Sequence, residues 1–223
     1  MLDERLSLVY DLYDKCALAA DIGTDHAHLP AALLQRGRCR KMILTDRSES
    51  ALDNARAEIS RRRLTDLVSF RLGDGLAPLE ETCGMISITG MGGRTIRTIL
   101  TEGRERLKDA SLILSAHTDW PLIRQSLAEI GYHAEKEEPC YAAGRFYLVI
   151  RARPGAEALN DQQIRLGIRL FDSTSPWLLP FLARRREVLE RQLAGLETAT
   201  EAHPELQEQL REDIAYYTEK MEG

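Results

Sequence analysis

Cysteine is scarce and scattered in this 223-residue chain: Cys16, Cys39, Cys83 and Cys140 stand far apart, with no Cys-x-x-Cys pair. That spacing argues against the common zinc motifs and against a disulfide-stapled scaffold, so free thiols in a reducing compartment are expected and no metal is. Long apolar runs are missing too. None approaches the roughly 18 residues that span a bilayer. The first residues, MLDERLSLVYDLYDKC, carry acids where a signal peptide carries bases ahead of an apolar stretch. A cytoplasmic protein without membrane contact is expected. A third absence concerns ligands: no Gly-x-Gly-x-x-Gly follows the first strand-like run, which argues against a dinucleotide pyrophosphate site.

What is present describes a globular chain, 43% hydrophobic and 29% charged, long enough for one medium domain with an appendage. The net charge of −5 is carried by residues 157–223, with 8 basic and 13 acidic side chains, while residues 1–156 hold 22 of each. Overall acidity therefore does not exclude a nucleic-acid partner. Bases gather locally at Arg36, Arg38, Arg40 and Lys41 and again at Arg61–Arg63. Arg36, Arg38, Arg61–Arg63 and Arg94 are candidate phosphate contacts, the alternative for either cluster being a solvated helix end.

Residues 2–13 space their apolar side chains helically. Strand-like and helix-like stretches then alternate. The strands are expected at 18–22, 42–45, 68–72, 85–89 and 112–115, the helices at 29–35, 49–62, 76–81, 94–102 and 120–130. Such alternation predicts an α/β, mostly parallel sheet covered on both faces. After Gly131 the pattern changes: residues 133–141 and 146–152 flank Ala142-Ala143-Gly144-Arg145 and predict a β-hairpin. Beyond Pro154-Gly155 the tail reads as helical throughout, with Leu178, Leu182, Leu189, Leu193 and Leu196 on one face of a helix beginning near Ser175-Pro176. His203-Pro204 interrupts it, and Leu206, Leu210, Ile214, Tyr217 and Met221 line a second helix. An antiparallel helical hairpin is expected, projecting as an arm because its apolar stripes are narrow.

The most informative stretch is Asp21-Ile22-Gly23-Thr24-Asp25-His26, which closes the first strand and opens a helix. A glycine turn there brings backbone close to a nucleotide-like ligand. Asp25 stands where the second glycine of a dinucleotide loop would fall, and an acid in that turn repels a pyrophosphate but suits a cationic amino group. S-adenosylmethionine fits better than NAD. Asp46, closing the second strand, is a candidate for the ribose hydroxyls; helix capping is its alternative, with Ser48 equally able to cap. Asp74, in Gly73-Asp74-Gly75 after the third strand, can accept from an adenine amine or serve an Asp-Gly turn. Gly90-Met91-Gly92-Gly93 closes the fourth strand over the reacting end of the ligand, where glycines allow close approach.

These segments, with Arg5-Leu6, Ala27 and Leu29-Pro30, resemble the bacterial tRNA (adenine-22-N1)-methyltransferase family over about residues 1–153. The resemblance implies a Rossmann-like, seven-stranded class I methyltransferase domain at 1–154 and a coiled-coil-like helical domain at 155–223. It implies S-adenosyl-L-methionine as cofactor and tRNA as substrate, methylated at N1 of adenine 22; a monomer is expected, with a dimer as the alternative. Cofactor contacts are expected from Asp21, Gly23, Asp46, Arg47, Asp74, Gly75, Gly90, Met91 and Gly92, and orientation or proton transfer from Asp25 and His26. The chain has no Asn/Asp-Pro-Pro-aromatic tetrad of the kind used on exocyclic amines. A ring nitrogen such as adenine N1 already offers an in-plane lone pair and needs none. The chain departs from the family at His28, where an aromatic is usual, and at Leu114-Ser115-Ala116-His117, where the family reads Leu-Gln-Pro-Asn. Those departures keep two alternatives open: a related methyltransferase acting on another substrate, and a cofactor-binding protein without activity.

Overall fold

The computed structural model describes residues 2–116, 118–199 and 203–222. Its strands β1 (Cys16–Ile22), β2 (Cys39–Asp46), β3 (Val68–Leu72), β4 (Met85–Met91), β5 (Ser111–Ala116), β6 (Tyr132–Ala142) and β7 (Arg145–Pro154) form one sheet. The order is β3-β2-β1-β4-β5-β7-β6. The first five run parallel, whereas β7 is antiparallel to both β5 and β6. β1 and β5 are apolar because helices cover both faces; every β5 residue is buried.

The helices are α1 (Glu4–Asp11), α2 (His28–Gln35), α3 (Glu49–Arg61), α4 (Gly93–Glu102), α5 (Arg104–Leu107), α6 (Trp120–Ile130), α7 (Asp161–Leu166), α8 (Leu178–Glu197) and α9 (Pro204–Glu222). Period-2 alternation splits the core. Ala19, Met42, Leu44 and Met85 pack toward α1, α2 and α3, with Val9, Leu33, Ala55 and Ile59. Ala20, Ile22, Ile43 and Ile86 pack toward α4 and α6, with Ile96, Leu100, Ile123 and Leu127. Local signals set the ends. Asp3 caps α1 by accepting from the Leu6 N–H at 2.7 Å, Pro121 opens α6, and Gly131 at φ +79° closes it.

Three expectations are corrected. Residues 76–81 form turns, not a helix: Leu76 and Leu79 are buried, but the N–H groups of Ala77 and Leu79 return to the carbonyls of Asp74 and Leu76, three residues back in each case. The tail is not helical throughout: residues 155–160 and 173–177 lie outside the helices, with α7 and a 3-10 turn at Arg169–Asp172 between them, and α8 starts at Leu178. Nor does the helical hairpin stand free as an arm. Phe181, Leu182, Leu189, Leu210 and Tyr217 join the sheet's own core cluster. Buried Asp213 of α9 receives both nitrogens of Arg165 of α7, at 2.8 and 2.9 Å.

The four cysteines are free, as expected, although the parallel register places the Cys16 and Cys39 sulfurs 3.3 Å apart at the amino-terminal rim of the sheet.

Candidate active site

Strand order reverses between β1 and β4, and helices leave the carboxyl ends of these strands on opposite faces. The crevice so formed is the place where open α/β sheets take ligands. Three adjoining cavities occupy that rim. A central cleft of about 310 Å³ is lined by Gly23, Asp46, Arg47, Asp74, Gly75, Met91 and Gly92 with Thr45, Thr95 and Ile99. A larger one of about 600 Å³ shares Arg47, Asp74 and Gly75 and runs out along α4 past Arg94 and Arg106. On the other side of Gly23, about 370 Å³ is enclosed by Arg5, Asp21, Thr24, Asp25, His26, Thr89 and Gly90 among others. The structure thus brings every expected cofactor residue to one rim, divided between the two cavities that meet at Gly23.

The glycine turn is held from β2. Both the Gly23 and Thr24 N–H groups donate to the Thr45 carbonyl, at 2.8 and 3.0 Å. Gly23 sits at φ +77°, and the Met91 thioether methyl rests where a Cβ would stand. Gly92 is open toward the cleft, with nothing within 4 Å of an added Cβ, whereas Gly93 serves packing: a side chain there would meet the Asp119 carbonyl at 2.6 Å.

Asp21 is buried at the hub of a polar chain. Its oxygens accept from the Thr24 and Ser87 hydroxyls, each at 2.5 Å, and Tyr13 donates to Ser87 at 2.7 Å. Burial raises its pKa, while those hydroxyls and nearby Arg5 pull the other way. Asp46 is half-buried at the end of β2, with Oδ1 accepting from the Ser48 N–H at 2.7 Å; Ser48 itself caps α3. Capping α3 therefore does not need Asp46. Asp74 is exposed in its turn, and its carboxylate has no hydrogen-bond partner among the described residues.

Asp25 and His26 are both exposed at the mouth of the third cavity. Asp25 accepts from Asn54 at 3.0 Å and lies 3.3 Å from His26 Nε2. His28 stacks on His26 at 5.8 Å and pairs with Glu58. Of the unusual residues closing β5, the Ser115 hydroxyl is buried with no hydrogen-bond partner among the described residues and Ala116 is wholly buried; His117 lies outside the described residues.

The arginine clusters do not reach this rim. α2 and α3 run back from it, so Arg36, Arg38, Arg40 and Arg61–Arg63 gather at the opposite end of the sheet. There Arg36 and Arg38 lie over the Tyr10 ring, and hydrogen bonds from Arg61 and Arg62 hold Glu58 down to about 2. Of the candidate arginines, Arg94 stands beside the cleft, next to Arg47. Arg5 lies within a sequence motif that carries no sign of a role for it. Its guanidinium crosses the Tyr147 ring at 5.4 Å and lines the third cavity, and its buried Nη1 has no hydrogen-bond partner among the described residues. An orphaned buried donor is costly unless a ligand meets it.

The antiparallel pair at the β5 edge separates this sheet from dinucleotide-binding ones, and with acids at the ends of β2 and β3 it defines a methyltransferase domain. A family model described as a methyltransferase domain matches residues 2–150. The tRNA (adenine(22)-N(1))-methyltransferase of Bacillus subtilis (strain 168) is 30% identical over 191 residues, 84% of this chain and 77% of that one. The chain belongs to that methyltransferase family. Among solved structures, Streptococcus pneumoniae Sp1610 superposes with a TM-score of 0.88 at 30% identity, covering 99% of this chain and 100% of that one. The same protein has been solved with S-adenosyl-L-methionine, at a TM-score of 0.86. TrmK of B. subtilis, 23% identical in structural alignment, shares the fold at a TM-score of 0.87 over 99% of each chain.

Proposed function

We propose that this protein methylates N1 of adenine 22 in tRNA, with S-adenosyl-L-methionine as donor, as a cytoplasmic enzyme. The observation that supports it most is the pair of cavities meeting at Gly23, one lined by acids suited to an adenosine and the other closed by the Asp25–His26 pair and Arg5. The residues fit the donor. Asp46 is placed for the ribose hydroxyls, Asp74 for the adenine amine, and Arg47, Gly75, Met91 and Gly92 for the cleft wall. Asp21, behind Gly23 and Gly90, supplies the negative charge facing a cationic amino group, and Arg5 the cation for the neighbouring carboxylate.

When bound, S-adenosyl-L-methionine supplies an electrophilic methyl group on sulfur. The protein's part is position and dryness. Adenine N1 presents its lone pair without prior deprotonation, so no base is required before transfer; Asp25, held by Asn54 and His26, accepts the proton released afterwards from the N6 side. The target must leave its base pair to reach the cavity. Division of labour follows the chain: residues 1–154 hold the chemistry, and 155–223 form a helical domain packed on the same core.

Purified protein incubated with labelled donor and unmodified tRNA is expected to place 1-methyladenosine at position 22. Labelling of another nucleotide, or of small molecules alone, would overturn this reading.

Asp21→Asn separates stability from binding. Because burial raises the Asp21 pKa, the folded state keeps this proton to higher pH than the unfolded chain. The stabilisation from that proton is complete below the unfolded pKa and is lost as pH rises through the folded one. The neutral amide removes the cost of ionised Asp21 at neutral pH. The variant is expected to melt no lower than the parent at pH 7.5, with any advantage shrinking as pH falls through the acidic range. Its affinity for the cationic donor should fall about tenfold or more. Paired melting curves and calorimetric titration check both halves.

A further inference from the structure

An aromatic surface outside the cleft is not used by the chemistry above. The tip of the β6–β7 hairpin and the segment entering α8 bring Tyr141, Phe146, Trp177 and Phe181 into one cluster. The ring centroids lie at 5.3 Å for Tyr141–Trp177, 4.9 Å for Tyr141–Phe146 and 5.8 Å for Phe146–Phe181. Phe181 in turn meets Trp120 at 5.2 Å, and the Trp120 indole N–H donates to the Ala116 carbonyl, the last residue of β5. The rings thus run unbroken from the carboxyl end of β5 to the surface, where Tyr141 and Trp177 remain 37% and 38% exposed. Because β7 is antiparallel, this tip lies on the same rim as the cleft: Ala116 pairs with both Met91 and Leu148. Arg145, three residues beyond Leu148, stands about 10 Å further out.

Two features make this more than a seam between sheet and tail. The surface is fixed in place: Ser175 donates to the Pro139 carbonyl at 2.7 Å and accepts from the Trp177 N–H at 3.2 Å, while Ser173 is bonded to Glu138. It also carries two cations close to the rings. Arg145, exposed at the hairpin tip, has no ion-pair partner among the described residues, and Arg185 lies over Trp120 at 5.2 Å. Exposed rings held rigidly beside the Arg145 and Arg185 guanidinium groups suit a nucleobase with its phosphate, because every base offers a face to stack and every linkage a negative charge.

We propose that Tyr141 and Trp177 form a stacking platform for an unpaired nucleotide of the RNA substrate, with Arg145 on its phosphate. The platform keeps the RNA locally opened beside the cleft while the target base is inside. It rests on the reading of the chain as a tRNA methyltransferase, and it names the surface that makes a folded RNA yield its base.

The test uses the full chain and tRNA. Trp177→Ala and Tyr141→Ala are each expected to raise the KM for tRNA about tenfold. Neither should move kcat at saturating tRNA or the KM for S-adenosyl-L-methionine. Trp177→Phe should restore most of the affinity, and Arg145→Ala should flatten the dependence of tRNA binding on salt. A tRNA KM within twofold of the parent in both alanine variants overturns the proposal. So does a defect shared equally by Trp177→Phe and accompanied by a lower melting temperature, or loss of self-association in place of RNA affinity. Fluorescence anisotropy with labelled, unmodified tRNA reads the platform even if no methyl transfer is seen, so failure of the proposed activity is distinguished from failure of the platform.

Discussion

Asp46→Ala is expected to weaken binding of S-adenosyl-L-methionine about a hundredfold while leaving the fold intact. The carboxylate ends β2 on the wall of the central cleft, and one oxygen is already engaged by the Ser48 N–H at 2.7 Å. That bond aims the group at the cavity, where it can take charge-assisted bonds from a ribose, each contributing about 1.5–3 kcal/mol. Losing two of them gives roughly the stated factor. α3 keeps its cap because Ser48 accepts from the Ala51 N–H. A melting experiment makes the contrast large. Ligand at 100 times the parent's Kd stabilises the parent by about 2.7 kcal/mol, and at a hundredfold weaker Kd the same concentration adds only about 0.4 kcal/mol. Asp46→Asn, which keeps one acceptor, should fall between. An unchanged calorimetric isotherm for Asp46→Ala would remove the ribose assignment.

The parts of this molecule that could be read from its residues are those in which local chemistry and tertiary demand agree. α6 is bounded as expected, at Trp120–Ile130, because Pro121 and Gly131 are both start and stop signals. The cleft was legible for the same reason: Gly23, Gly75 and Gly90 occupy positive φ where the chain leaves a strand end or turns beside one, and acids follow β2 and β3. What sequence proximity does not carry is direction. Arg36 and Arg61–Arg63 look like a nucleic-acid footprint in one dimension, but a helix that leaves the catalytic rim carries its last residues to the opposite one. Leu76 and Leu79 have helical spacing, yet Gly73 packs on Pro78, and the chain turns instead. Arg5 and Ser87 gave no signal of their own, since only the fold brings them, from distant parts of the chain, to Asp21.

The docking of the tail is hidden in the sequence for a related reason: its decisive contacts are charges, which in sequence look solvated. Arg124 of α6 and Glu137 of β6 are 4% and 1% exposed and bonded at 2.5 Å. Around them the segment leading to the helical hairpin is tied down. Arg124 Nη1 donates to the Ile164 and Arg165 carbonyls at 3.1 and 3.2 Å, and the second Glu137 oxygen accepts from the Leu170 N–H at 3.0 Å. Gly167, at φ +88°, crosses so close to both side chains that a Cβ there would collide with them.

Arg124→Met should therefore be the most destabilising single change at this junction, because it strands a buried carboxylate and two carbonyls together. A broken buried pair costs about 3–5 kcal/mol, which for a chain of this size corresponds to a melting temperature lower by about 10 °C. Glu137→Met should cost a similar amount by stranding the guanidinium. The double variant, free of any unpaired charge, should recover much but not all of the loss, since the carbonyls of Ile164 and Arg165 and the Leu170 N–H still lack partners. Chemical denaturation of the three variants completes the cycle. Strict additivity, with the double variant losing the sum of the two single losses, would show that the pair contributes no coupling and that backbone contacts alone hold the tail to the sheet.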